Sequence, residues 1–260
     1  MPGNQKELSL VVPVYMEAPI LKDSLNKIYD FLVGLNLDFV MIISVDESGD
    51  DSVRIAKEFS SEHSDVECII QDRKIGRGFA VREAWKQCYS EYYSFIDVDL
   101  ATGLHVIQDA LELMRKNVAD LITASRYIEG AHTKRPPLRS GTSRIYNKLL
   151  RMLFREDISD HQCGFKIINQ KTKNDVLPQT EEDSWFWDAE LLVLSEIQGL
   201  RVIEIPVVWI EHKYNNTSLR RLLNDVYLHG TGILRLLDKA SRIKATRDKS
   251  IDGLKVKRLE

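Results

Sequence analysis

This chain is short of every feature that would place it outside the ordinary globular class. Its 260 residues hold only 3 cysteines, Cys68, Cys88 and Cys163. Their odd number and lack of metal spacing exclude a disulfide framework and fit a reducing compartment. No apolar run approaches the roughly 20 residues needed to cross a bilayer. The formal net charge of −3 excludes a general affinity for nucleic acid. The start, Met1-Pro2-Gly3-Asn4-Gln5-Lys6-Glu7, is polar and lacks the apolar stretch of a signal peptide. Internal repeats and low-complexity segments are missing. The absences together predict a soluble or peripheral protein with a cytoplasmic location.

What is present alternates. Leu8–Val14, Phe39–Val45, Val66–Ile70, Tyr92–Ile96 and Asp120–Ser125 read as strands, the first two nearly continuous in apolar residues. That is the pattern of parallel strands covered on both faces. Helical periodicity falls between them, with Gly34 marking the expected stop of the first helix. Strands alternating with helices of ten or more residues predict βαβ units and an α/β fold with a mostly parallel sheet. After Ser125 the rhythm changes. A polar loop spans Arg126 to Arg139, and a helix over Thr142–Phe154 puts Ile145, Leu149, Leu150, Leu153 and Phe154 on one side. Cys163–Ile168 reads as a strand, Trp187–Gln198 as a helix, and Arg201–Ile210 as extended chain bent at Pro206. Ser218 to Lys244 reads as a long amphipathic helix, followed by a basic tail. The predicted division is a catalytic domain over 1–215, an amphipathic helix over 216–245 and a tail over 246–260.

The most informative local feature is Asp97-Val98-Asp99, at the end of the apolar run Tyr92–Ile96. Unpaired buried carboxylates are costly, so two acids here mark the end of the strand and a cleft. In open α/β sheets ligands bind at the carboxyl ends of the strands. A divalent cation between these acids and a phosphate predicts a nucleotide or nucleotide-sugar enzyme. Taken alone, the motif is equally an acidic strand-to-helix turn.

Other strand ends extend the pattern. Val11-Val12-Pro13-Val14-Tyr15-Met16-Glu17 resembles the "P-x-Y-N-E" opening of family-2 glycosyltransferases with the GT-A fold. Val45-Asp46-Glu47-Ser48-Gly49-Asp50 resembles their "DD-x-S-x-D" loop, and Gly76-Arg77-Gly78-Phe79-Ala80 their "G-K-G-x-A" helix start. Ala124-Ser125-Arg126 is similar to the "G-S-R" strand end. Arg139, Ser143 and Asn147 match the "R-x3-S-x3-N" helix of polyprenyl-phosphate transferases. Asp160-His161-Gln162-Cys163-Gly164-Phe165-Lys166 resembles the "D-T-Q-C-G-F-K" of dolichyl-phosphate glucosyltransferases, Trp187–Leu192 their "F-D-x-E-L-L", and Glu204–Trp209 their "E-V-P-V-x-W". The motifs run in register over about residues 8 to 245.

The resemblance implies inverting transfer of a sugar from a nucleotide diphosphate to dolichyl or polyprenyl phosphate at a membrane surface. It implies that Pro13, Tyr15, Glu17, Asp46, Gly76, Asp97 and Val98 hold the donor. Asp97 and Asp99 would hold Mg²⁺ or Mn²⁺ against the diphosphate, with Asp99 the more direct ligand. An acceptor phosphate is already ionised and needs cations rather than a base. Arg126, Arg139, Ser143 and Lys166 are the candidates, with Asp188 and Glu190 near the sugar or orienting the basic residues. The departures are specific. Leu100-Ala101 stands where "L-Q" is common, leaving water or Thr102 to complete the metal shell. Met16 replaces the turn-forming Asn. Asn216–Leu219 replaces a basic motif, with Arg220 and Arg221 just after. UDP and GDP donors both stay open. So do two other functions, transfer to a saccharide hydroxyl with Asp188 or Glu190 as base, and non-catalytic binding of a nucleotide sugar. Membrane contact is expected through the 220–244 helix.

Overall fold

The structure, a computed structural model, describes residues 5–210 and 228–245. Nine strands appear among them: β1 (Lys6–Val14), β2 (Phe39–Asp46), β3 (Val66–Gln71), β4 (Ser90–Ile96), β5 (Leu121–Ser125), β6 (His132–Lys134), β7 (Phe165–Asn169), β8 (Val202–Pro206) and β9 (Val208–Ile210). Seven form one sheet in the order β3-β2-β1-β4-β7-β5-β8. Every pairing in it is parallel except those of β7, which runs antiparallel to β4 and β5. The β5 and β4 strands therefore end on the same edge, and β7 starts there.

The helices are α1 (Ala18–Gly34), α2 (Ser52–Glu62), α3 (Arg77–Gln87), α4 (His105–Arg115), α5 (Pro137–Phe154), α6 (Gln170–Asp175), α7 (Trp187–Ile197) and α8, over 228–245. Side-chain alternation along β1 explains the double cover. Leu8, Leu10, Val12 and Val14 face a core shared with α1, α2 and α4, while Val11 faces one shared with α3, α7 and α8.

The first helix ends at Gly34, as expected, and the chain turns through the left-handed Asn36, with φ 52°. Two expectations are corrected. The polar loop after Ser125 contains β6, and the next helix starts at Pro137, where a proline costs no helical hydrogen bond. The apolar side of α5 splits: Leu150 and Phe154 are buried, while Ile145, Leu149 and Leu153 are exposed. Pro206 does end a strand, and the chain then crosses to a second sheet, where β9 pairs with β6.

Of the 220–244 helix, Arg220, Arg221, Leu222, Leu223 and Val226 lie outside the described residues, as does Asn216–Leu219. In α8 the stripe Ile233, Leu236 and Ala240 is buried against Phe186 and its neighbours. Among the described residues no helix is long and apolar enough to cross a membrane.

Candidate active site

The carboxyl ends of β1, β2 and β4 open into one cleft. Pro13, Tyr15, Glu17, Asp46, Gly76, Asp97, Val98 and Asp99 all line it. Lys74, Arg77 and Trp185 line it too, and sequence reasoning did not select them.

Each wall has a local cause. Met16 sits at φ 56°, a left-handed conformation that Asn adopts more readily than Met. The acidic loop after β2 anchors this corner. The Glu17 amide donates to Ser52 Oγ at 3.1 Å, and the Ala18 amide to Asp50 Oδ2 at 3.2 Å. Burial opposes the Asp50 charge, but hydrogen bonds from Ser48, Ser52 and Ala18 outweigh it and hold its carboxyl at about 2. Asp46 Oδ2 accepts the amides of Ile75 and Gly76 at 3.0 and 2.9 Å. Its buried Oδ1 has no hydrogen-bond partner among the described residues. It is an acceptor ready for a hydroxyl or an N–H of a ligand.

Gly76 and Gly78 serve the protein more than a ligand. A Cβ on Gly76 would lie 2.5 Å from the Asp183 carbonyl, and one on Gly78 would lie 2.4 Å from Trp187 Cβ. The two glycines let the 182–184 loop close onto α3. Gly164 has a comparable role, since a Cβ there would meet Asp97 Oδ2 at 2.1 Å.

Asp97 is held by Arg77, whose Nη1 lies 2.9 and 3.0 Å from the two carboxylate oxygens. Arg77 also pairs with Asp188 through Nη2 and stacks on the exposed Trp185 ring at 4.0 Å. Asp188 in turn takes Lys166 Nζ at 3.1 Å. Acidic and basic groups alternate along this row, which is how buried charges are tolerated. Lys166 is fully enclosed. Burial, reinforced by the Arg77 charge, pushes its ammonium down to about 7.

The residues after β5 form a second group on the same sheet edge. Arg126 is buried rather than open to a ligand: its amide, Nε and Nη2 donate to Asp160 at 3.0, 2.6 and 2.7 Å. Burial opposes both charges and their pairing outweighs it, keeping Arg126 protonated and Asp160 below the usual carboxylate range. Glu204 fixes this turn by accepting the amides of Ser159 and Asp160. The "R-x3-S-x3-N" residues divide. Asn147 is buried, accepting the His161 amide and facing Nδ1 at 3.0 Å. Ser143 and Arg139 are half-buried, and Ser143 Oγ accepts from Arg135 Nη1 at 2.9 Å. Arg135, another residue that sequence reasoning did not select, also reaches Tyr127 Oη at 3.3 Å. Lys166, Arg126, Arg139 and Ser143 do not line the cleft. Thr102, offered as a metal ligand, is buried and bridges to Trp209.

A mostly parallel sheet with a cleft over its acidic strand ends is the architecture of the GT-A fold. The model for "Glycosyl transferase family 2" matches residues 9–176. Glycosyltransferase AglD of Haloferax volcanii is 32% identical over 231 residues, 88% of this chain and 36% of that protein. Dolichyl-phosphate beta-glucosyltransferase ALG5C of Trichomonas vaginalis is 27% identical over 218 residues, 78% of this chain and 64% of that one. This chain therefore spans about a third to two thirds of the length of these relatives. Among solved structures, glucosyl-3-phosphoglycerate synthase of Mycobacterium tuberculosis, in complex with Mn²⁺, UDP and phosphoglyceric acid, shares the fold. Its TM-score is 0.67 at 14% identity, over 89% of this chain and 78% of that one. The chain belongs to glycosyl transferase family 2.

The neighbour's Mn²⁺ raises the question of a metal here. Among the described residues no group of three or more His, Cys, Asp or Glu side chains could enclose an ion. Mg²⁺-type sites need less: one or two carboxylates, with substrate phosphates and water supplying the rest. Asp99, at the cleft beside the Arg77-held Asp97, fits that requirement.

Proposed function

We propose that this protein transfers a hexose from a nucleotide diphosphate sugar to a polyprenyl phosphate of the dolichyl type, with inversion. Asp46 would receive the base or ribose, with Tyr15 and Glu17 beside it. Asp99, with Asp97 close by, would hold Mg²⁺ or Mn²⁺ on the diphosphate, where the ion would neutralise the leaving group. Lys74 and Arg77 would add positive charge on the same side. Arg135, Arg139 and Ser143 would receive the acceptor phosphate, with Arg126 shaping that turn from beneath.

The observation that carries the acceptor is the fate of Asp188 and Glu190. Transfer to a sugar hydroxyl needs a carboxylate base, and these are its candidates. Both are buried. Asp188 is taken up by Arg77 and Lys166, and Glu190 by Lys239 and two backbone amides. Neither is left to accept a proton, which favours an acceptor that arrives ionised. The names of the relatives support the same reading. A UDP lean rests on the glucosyltransferase-like motifs.

For contact with an anionic lipid surface α5 is the better-supported candidate among the described residues. Its 18 residues include Arg139, Arg144, Lys148 and Arg151 and no acid. Ile145 and Met152 are 70% and 69% exposed, with Leu149 and Leu153 beside them. Basic and apolar residues interleaved on one helix suit the headgroup region.

The test is radiolabel transfer from UDP- and GDP-sugars to a short polyprenyl phosphate, with Mg²⁺, Mn²⁺ or EDTA. A metal-dependent lipid-linked product is expected. Product on a soluble saccharide alone would overturn the acceptor.

A further inference from the structure

Helix α8 is joined to the donor cleft by a chain of contacts. Lys239 Nζ lies 2.7 Å from Glu190 Oε1, 2.9 Å from Glu181 Oε2 and 2.9 Å from the Gln179 carbonyl. Arg235 Nε reaches Glu182 Oε1 at 2.8 Å. The other oxygen of Glu190 accepts the amides of Glu181 and Glu182, each at 2.9 Å. One carboxylate thus fixes two successive residues of a loop and one lysine of another helix.

That loop continues into the cleft. The Asp183 carbonyl accepts the Phe79 amide at 3.1 Å, and Arg82 binds both the Glu182 carbonyl and the Asp183 carboxylate. Gly76 and Gly78 leave room for nothing larger between the loop and the start of α3. Two residues further, Trp185 covers Arg77 at 4.0 Å. On α7, positions 188 and 190 lie about 200° apart around the helix, so the two acids point to different neighbours. Asp188 holds the cleft cation Arg77, while Glu190 holds Lys239. Gly232 seats α8, since a Cβ there would be 2.7 Å from the Phe186 ring.

We infer that Lys239 is a positioning residue for the donor cleft, acting through Glu190 and the 181–185 loop. This rests on the reading of the cleft as the nucleotide-sugar site. Docked α8 holds the loop against α3, and the loop holds Trp185 over Arg77. Loss of the Lys239 charge leaves Glu190 with its two amides only and loosens the loop from its far side.

Two measurements on the full chain test this. Hydrogen exchange without nucleotide is followed at the Glu181, Glu182 and Phe79 amides in wild type, Lys239→Met, Lys239→Arg and Glu190→Gln. Exchange at all three is expected to rise at least tenfold in Lys239→Met and Glu190→Gln, with β4 amides unchanged and Lys239→Arg near wild type. Unchanged exchange at Phe79 in Lys239→Met would overturn the inference, since the effect would end inside the loop. Titration with UDP and with GDP, each with Mn²⁺, then reads the consequence. A roughly tenfold weaker dissociation constant in Lys239→Met, restored in Lys239→Arg, is expected. Equal affinity in Lys239→Met and wild type would overturn the coupling. A wild type that binds neither nucleotide overturns the donor reading instead, and the exchange result still decides the coupling to the loop.

Discussion

The two halves of the site treat charge in opposite ways. Along the ends of β1, β2 and β4, polar groups face a cleft, and Asp46 Oδ1 has no hydrogen-bond partner among the described residues. Along β5, β7 and α7, charges are enclosed and consumed in pairs: Arg126 with Asp160, Lys166 with Asp188, Glu190 with Lys239. The first arrangement keeps affinity available for a ligand. The second spends it on geometry, because a buried ion is tolerated only when matched. Identical residue types therefore line open space in one half and form framework in the other.

The sharpest way to break this contrast is Asp160→Ala, which strands the Arg126 charge. Urea unfolding should show a loss of about 3–5 kcal/mol, as for other broken buried pairs; a loss below about 1 kcal/mol would return Arg126 to the list of ligand-binding cations. Asp99→Asn addresses the open half. Transfer should fall about a thousandfold, worth several kcal/mol of leaving-group stabilisation, while stability changes by less than about 0.5 kcal/mol. Substantial metal-stimulated activity in that variant would remove Asp99 from the metal site.

The basic and apolar face of α5 is tested by Ile145→Glu with Met152→Glu. Sedimentation with phosphatidylserine vesicles should drop at least tenfold, with unfolding unchanged because both side chains are exposed. Equal pelleting would move the membrane contact elsewhere. The smallest effect concerns Asp50, which anchors the Glu17 corner. Its folded-state value of about 2 lies below its ordinary 3.8, so its contribution is complete above 3.8 and fades as pH falls through about 2. Asp50→Ala should cost about 1 kcal/mol at neutral pH, as for a lost helix cap. The gap to wild type should close in acid; a gap independent of pH would assign the cost to packing.

The open half was legible because its residues sit at strand ends, where the apolar period stops and acids begin. Eight of the residues expected at the donor or the metal line the cleft, whereas Lys166 and Asp188, expected there too, do not. The paired half was not legible. Nothing in the string around Arg126 distinguishes a phosphate-binding arginine from one locked to an aspartate 34 positions away. Arg77 could have been noticed as the departure from the lysine of "G-K-G". Trp185 and Lys74 carry no such signal, since they enter the cleft from loops. The last helix read as amphipathic, but periodicity shows only that a face is apolar, not what covers it. In α8 the partner is the protein's own Phe186. In α5 an apolar face that reads as core is split by packing into a buried and an exposed part.

The sequence by itself determined the alternation of strands and helices, the family and the cleft at the strand ends. Each follows from local periodicity and from residues close in the chain. Tertiary structure alone decided which charges are spent on one another, which apolar stripe stays exposed, and that Lys239 reaches Glu190 across 49 positions. Those outcomes depend on desolvation and on distances of about 3 Å between residues far apart in sequence, and no local pattern encodes either.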